Sequence, residues 1–228
     1  LQALRNTGSP DEVSLSPATL VNVGLYTVPR AARQPDTTIT LGTLDARFPN
    51  ASTQIGDSLF NVHTINVDTF PTPRWYEIDT AGDGVLQSGI FFGTPLSDDF
   101  NASIVANDEK DVFVTWTSTK QPIREGPSYF PQIRTSGRLN TDPPNEISSG
   151  SVVFESPTFY TSPQWGNYSA ITVDPSNPKC AWGVNQTVIP PVPPSAVRTW
   201  GTGIFRTCFQ IEEEEEEAEG EEDEGEEE

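Results

Sequence analysis

His63 is the only histidine in the 228 residues, and no Gly-x-Ser-x-Gly elbow supplies a serine for it to activate. It lies in an alternating run, where a histidine is packed or solvated more often than catalytic. One histidine and two distant cysteines also rule out a histidine-based zinc site. Carboxylates are the remaining chemistry. Most glycoside hydrolysis needs a pair of them roughly 5 to 9 Å apart, and Asp45, Glu77, Asp79 and Asp174 fall on or near expected strand ends. Arg47, Arg74, Arg134 and Arg206 are of the type that grips a carboxylate-bearing sugar through bidentate contacts. Such a site needs several arginines converging beside an acid, and no Ser-x-Asp-x-Gly-x-Thr-Trp box marks one. A sialidase-like hydrolase is therefore the alternative reading and a non-catalytic binding face the preferred one, with Arg47, Arg74, Trp165 and Asp174 nominated for that face. Asp174, placed before Pro175, also reads as a turn former that caps its own backbone. Asp79-Thr-Ala-Gly-Asp-Gly84 resembles the start of a calcium loop but lacks the alternating ligands and the terminal Glu. A hairpin turn fits it better. No cofactor or metal is expected.

The elements that must position these residues are short strands. Thr53–His63 reads as strand, Gly-Asp turn, strand; Ser103–Trp116 and Ala170–Trp182 repeat the design, with an early aromatic (Phe60, Phe113, Trp182) in the second strand. Arg74–Asp79 and Val85–Ile90 flank a Gly-Asp-Gly turn, and weaker strands lie at 134–136 and 151–154. The run Trp165-Gly-Asn-Tyr-Ser-Ala-Ile-Thr-Val-Asp-Pro175 and the closing Trp200-Gly-Thr-Gly-Ile-Phe205 complete the set. No helical periodicity persists, and 21 prolines with 17 glycines punctuate the chain. A strand-turn-strand unit recurring at roughly 50 to 70 residues fits the four-stranded blades of a β-propeller. Of the tryptophans, Trp75, Trp116, Trp182 and Trp200 fall in expected strands, where burial between sheets is the default; Trp165 sits outside a clean strand.

Three regions follow. Residues 1–38 form a partial blade or linker containing one alternating strand-like run, Leu20–Val28; residues 39–209 hold about three blades; residues 210–228 are an acidic tail expected to be disordered. Three blades alone leave an exposed flank, and the chain opens on Leu1 and contains no Met, so the expectation is the C-terminal half of a larger propeller.

The net charge of -20 is concentrated in that tail: residues 212–228 hold 14 of the 33 acids, leaving 19 acids against 13 bases elsewhere. The tail serves as a solvating segment, with loose gathering of cations as the lesser alternative. The sign excludes a nucleic-acid footprint, and no apolar run approaches the roughly 18 residues of a membrane span. Cys180 and Cys208, one opening a strand and the other ending its antiparallel neighbour, are placed for a disulfide. Sequons at Asn50, Asn101, Asn167 and Asn185 add to the expectation of an extracellular glycoprotein.

Arg74-Trp-Tyr-Glu-Ile-Asp79, Val85-Leu-Gln-Ser-Gly89, Phe100–Asn107, Trp165–Pro175 and Trp200–Phe205 together resemble, in the same order, a family of secreted, largely uncharacterised β-propeller proteins related in general fold to sialidase-like propellers. The resemblance spans roughly residues 40 to 209. It departs at Asn167, where the family has Asp. It implies an extracellular domain without an established activity; the gathering of loops at a propeller face separately suits a glycan or protein ligand.

Overall fold

The computed structural model describes residues 4–6, 13–15, 17–122, 126–190 and 198–210. Beyond Gln210 the expected acidic tail lies outside the described residues. Every regular element among them is a strand: β1 (Leu4–Asn6), β2 (Val13–Leu15), β3 (Thr53–Ile55), β4 (Ser58–Val67), β5 (Phe70–Asp79), β6 (Gly84–Ile90), β7 (Asp98–Ala106), β8 (Val112–Lys120), β9 (Tyr129–Arg138), β10 (Ser151–Glu155), β11 (Ala170–Asp174), β12 (Asn177–Ile189) and β13 (Thr199–Cys208). The fold is all-β. No helix among the described residues is long and apolar enough to cross a membrane.

Strands follow one another as antiparallel neighbours. β3–β6 form the first sheet, β7–β10 the central sheet and β11–β13 the terminal sheet, while β1 and β2 pair as a separate ribbon. Tight turns enforce this order. Gly56, Asp68, Asp83 and Lys110 each take a positive φ (56°, 52°, 55° and 63°), a conformation that Gly adopts freely and Asp tolerates. All three repeated strand-turn-strand units appear where the sequence places them, as β3–β4, β7–β8 and β11–β12.

The strand expected over Leu20–Val28 is a correction. The segment carries no strand, because Gly24 turns the backbone to φ 78° and no neighbouring strand pairs with it. Thr27 is tied down through its carbonyl, which accepts from Asn66 N. Residues 29–38 pack against the sheets. The Arg30 guanidinium forks onto Asp98 of β7 at 2.8 and 2.5 Å, and Gln34 is fully buried with its amide shared between Ile39 O and Tyr160 O.

Packing joins the sheets face to face. Phe60, Val62 and Trp75 of the first sheet meet Ala102, Ile104, Val114 and Trp116 of the central sheet. On the other side Val105 and Phe113 meet Ile171 and Ala181 of the terminal sheet. A third cluster places Trp165 and Tyr160 with Ala32, Leu41, Phe100 and Val188. Each large apolar side chain so removed from water contributes on the order of 1.5 to 3 kcal/mol. Gly203 lets the terminal sheet close in, since a Cβ there would stand 2.6 Å from Ile133 and 2.8 Å from Phe154. In the terminal sheet Cys180 and Cys208 are register partners joined by a disulfide with Cα atoms 4.0 Å apart.

Candidate functional site

β3 and β11, edge strands of the outer two sheets, both pack against β7, the edge strand of the central one. What joins them is polar. Asn50, just before β3, donates through Nδ2 to Ala102 O at 3.0 Å and Ser103 Oγ at 2.8 Å. Asn101 donates through Nδ2 to Gly166 O at 2.8 Å. Ser103 and Ser169 share a 2.7 Å hydroxyl contact, and Ser169 Oγ donates to Asn101 O at 2.9 Å. These residues belong to three copies of one tripeptide pattern, Asn50-Ala-Ser, Asn101-Ala-Ser and Asn167-Tyr-Ser. Asn101 reaches its partner because β7 bulges between Phe100 and Ser103 and Asn101 takes φ 51°, a region asparagine tolerates. At the turns each later sheet sends a lysine back to the one before it. Lys110 approaches Glu77 at 3.8 Å, and Lys179 reaches Asp111 at 2.8 Å and also contacts Glu109.

This changes the meaning of the sequons. Asn101 and Asn185 are buried, with 0% and 2% exposure, and leave no room for a glycan in the folded chain. Asn50 is half-buried and already bonded. Asn167 alone of the four is exposed.

The residues nominated for a ligand face are each bonded to neighbours of their own. Arg47 pairs with its neighbour Asp45 at 2.7 Å, well out in solvent. Arg74 lies over the Tyr76 ring and donates to Ser88 Oγ. Asp174 is buried, accepting from Ser176 N, Ser176 Oγ and Arg206 Nε, and these contacts hold its carboxyl down at about 2. Trp165 is buried at 1% exposure and donates Nε1–H to Thr117 Oγ1. Among the acids and arginines weighed for hydrolysis, Glu77 takes Ser58 Oγ and Gln87 Nε2, Asp79 caps Ala81 N, and Arg134 bonds Gln132 Oε1 and the carbonyls of Ser149 and Gly150. Each arginine is thus engaged locally. Among the described residues no group of three His, Cys, Asp or Glu is placed to hold a metal.

His63 is buried between aromatic rings. Its Nδ1 faces Ala46 O at 2.7 Å, so that nitrogen donates, and Nε2 accepts from Tyr76 OH at 3.0 Å. Burial lowers its pKa, and both nitrogens serve packing.

Two features escaped sequence reasoning. Asp99 is fully buried at the start of β7 and accepts from Gly93 N, Trp116 Nε1 at 2.7 Å and Ser97 Oγ at 2.5 Å. Burial pushes its pKa up to about 6 against those hydrogen bonds. The sole sequence signal was an Asp-Asp pair opening a strand, which reads as a turn. The second is the outward face of the terminal sheet. Trp182 and Trp200, expected to be buried between sheets, are 45% and 62% exposed, because no further sheet among the described residues covers them. Trp200 edges a cleft of about 490 Å³ shared with Tyr160, Gln164, Trp165, Asn167 and Gln186.

In comparison with known proteins, no family model, curated protein or solved structure matches this chain.

Proposed function

We propose that the chain is a non-catalytic extracellular β-propeller module, whose sheets are successive blades of a larger ring and whose ligand is a glycan or a protein. The observation carrying this reading is the N-x-Ser ladder, which joins the edges of β3, β7 and β11 in chain order. Blades of a propeller set their first strands side by side around an axis, and repeated contacts along that line are what a repeat sequence produces. The disulfide fits an oxidising compartment. The exposed Asn167 sequon and the resemblance to secreted propellers point the same way. Loops at the axial end gather side chains from several blades, which suits recognition.

A glycan and secreted-protein array, paired with a fluorogenic sialoside assay, tests it. Saturable binding without turnover is expected. Tyr168→Ala, at the ladder and 74% exposed, should weaken binding at least about tenfold, and Leu86→Ala on the outermost strand of the first sheet should not. Sialoside hydrolysis would replace this reading with the hydrolase one.

A further inference from the structure

The ladder has a donor left over at one end and an exposed receiving edge at the other. Asn50 and Asn101 each latch onto the next sheet through Nδ2. Asn167, in the same place in the third tripeptide, is exposed, and so are Ala51 and Ser52 of the first tripeptide, the counterparts of the residues that receive Asn50; Ser52 Oγ accepts from Asn61 Nδ2 of its own sheet and keeps a second lone pair for a latch. The two ends of the sheet stack are also the apolar ends. Beyond the terminal sheet lie Trp182, Trp200 and Ile204, the last 67% exposed. These alternate along β12 and β13 with the buried positions that meet the central sheet, so they share one face. On the first sheet, His63 and Tyr76 point away from the core formed by Val62 and Trp75, and Tyr26 and Phe48 cover them at ring separations of 4.8 and 4.9 Å from His63. Tyr26 and Phe48 stay 46% and 42% exposed, and Leu25 beside them is wholly exposed.

We infer that the terminal sheet docks onto the first sheet of a second copy of this chain, with Asn167 acting as the third latch on Ala51–Ser52 of that copy. The inference rests on reading the sheets as blades. It adds that the ring is completed between two copies. One contact of this kind in each direction forms a closed pair with two-fold symmetry, in which each copy uses both of its ends. The unmated amide, the unmated edge and the apolar surface at both ends are satisfied together. The cleft beside Trp200 becomes enclosed at the junction. Large apolar side chains left exposed on one face mark an interaction site, and the repeat names the partner. A face built to receive a sheet with an N-x-Ser edge finds one on the other end of the same molecule. Both copies are acidic, so docking tightens with salt, which shortens the Debye length to about 3 Å at 1 M.

Sedimentation equilibrium on the full unglycosylated chain, from 1 to 100 μM in 0.15 M and 1 M NaCl, tests this. A species of twice the 24.9 kDa chain mass is expected, favoured at high salt. Ile204→Lys and Asn167→Asp should each weaken association at least about tenfold, while circular dichroism and the melting temperature of the monomer stay unchanged because both side chains are exposed. Asn167→Gln removes the sequon, keeps an amide, and should retain more association than Asn167→Asp. A 24.9 kDa species under every condition, or association that these substitutions leave untouched, overturns the inference. The array result separates the two readings: a monomer that still binds its ligand removes the paired ring and leaves the binding module standing.

Discussion

The central and terminal sheets share a meander topology and meet different surroundings. Every residue of β7 and β8 is buried, whereas β13 alternates between exposed and buried along most of its length. Yet β8, Val112-Phe-Val-Thr-Trp-Thr-Ser-Thr-Lys120, is rich in hydroxyls rather than continuously apolar. Two of its threonines bond within the sheet, Thr115 Oγ1 donating to Arg134 O at 2.9 Å and Thr119 Oγ1 to Tyr129 O at 3.2 Å, and Thr117 Oγ1 donates across to Asn185 Oδ1 of the terminal sheet at 3.4 Å. A strand covered on both faces thus need not be greasy, provided each hydroxyl finds a hydrogen-bond partner. The terminal sheet shows the reverse. Glycines face inward for close approach, and tryptophan and isoleucine face out.

The largest effect that sharpens this contrast is Trp116→Ala, which empties a fully buried site and strips a donor from Asp99. It should cost about 3 to 5 kcal/mol by urea denaturation, against less than about 1 kcal/mol for Trp200→Ala in the undocked chain. Equal losses would break the comparison. Next comes the staple of the terminal sheet. Replacing Cys180 and Cys208 together by Ala should cost about 3 kcal/mol, since the bridge closes a loop of sequence separation 28. The same loss should follow treatment of the native chain with reductant.

Asp99 belongs to the central sheet and makes it sensitive to pH. Its folded pKa near 6 lies above the unfolded 3.8, so the native state binds the extra proton between these values. Stability is therefore full below about pH 4, falls by on the order of 2 to 3 kcal/mol as pH rises to 6, and is level above that. Asp99→Asn should flatten this part of the profile in thermal melts. A native chain already flat from pH 4 to 6 would remove the buried acid from the account. The smallest contrast lies on the ladder. Asn101→Ala leaves Gly166 O without its donor and should cost about 1 to 2 kcal/mol. Asn167→Ala, read on the monomer, should cost almost nothing.

Strand positions were legible because alternation and turn chemistry are local. The three strand-turn-strand units and the Asp79–Gly84 hairpin followed from spacing, and the Cys180–Cys208 pairing from the placement of the two cysteines on adjacent antiparallel strands. Leu20–Val28 misled because alternation reports a strand only where a neighbour exists to pair with it, and Gly24 breaks the run. The sequons misled in another way. Asn-x-Ser reads as a modification signal in one dimension, while in three dimensions Asn50 and Asn101 are inter-sheet donors. Their recurrence at the start of each unit was visible in the sequence, but their partners lie one sheet away. Asp99 and the open face of Trp182 and Trp200 depend on what covers each sheet, which no strand pattern encodes.

Hydrogen exchange read by mass spectrometry on the Ile204→Lys chain, whose terminal face stays uncovered, tests the stacked-sheet arrangement most directly. The amides of β7 and β8 should exchange last and as one unit, with those on the open edge of β13 exchanging first. Uniform protection across the three sheets, or β13 outlasting β8, would contradict a central sheet latched on both sides beside an open terminal one.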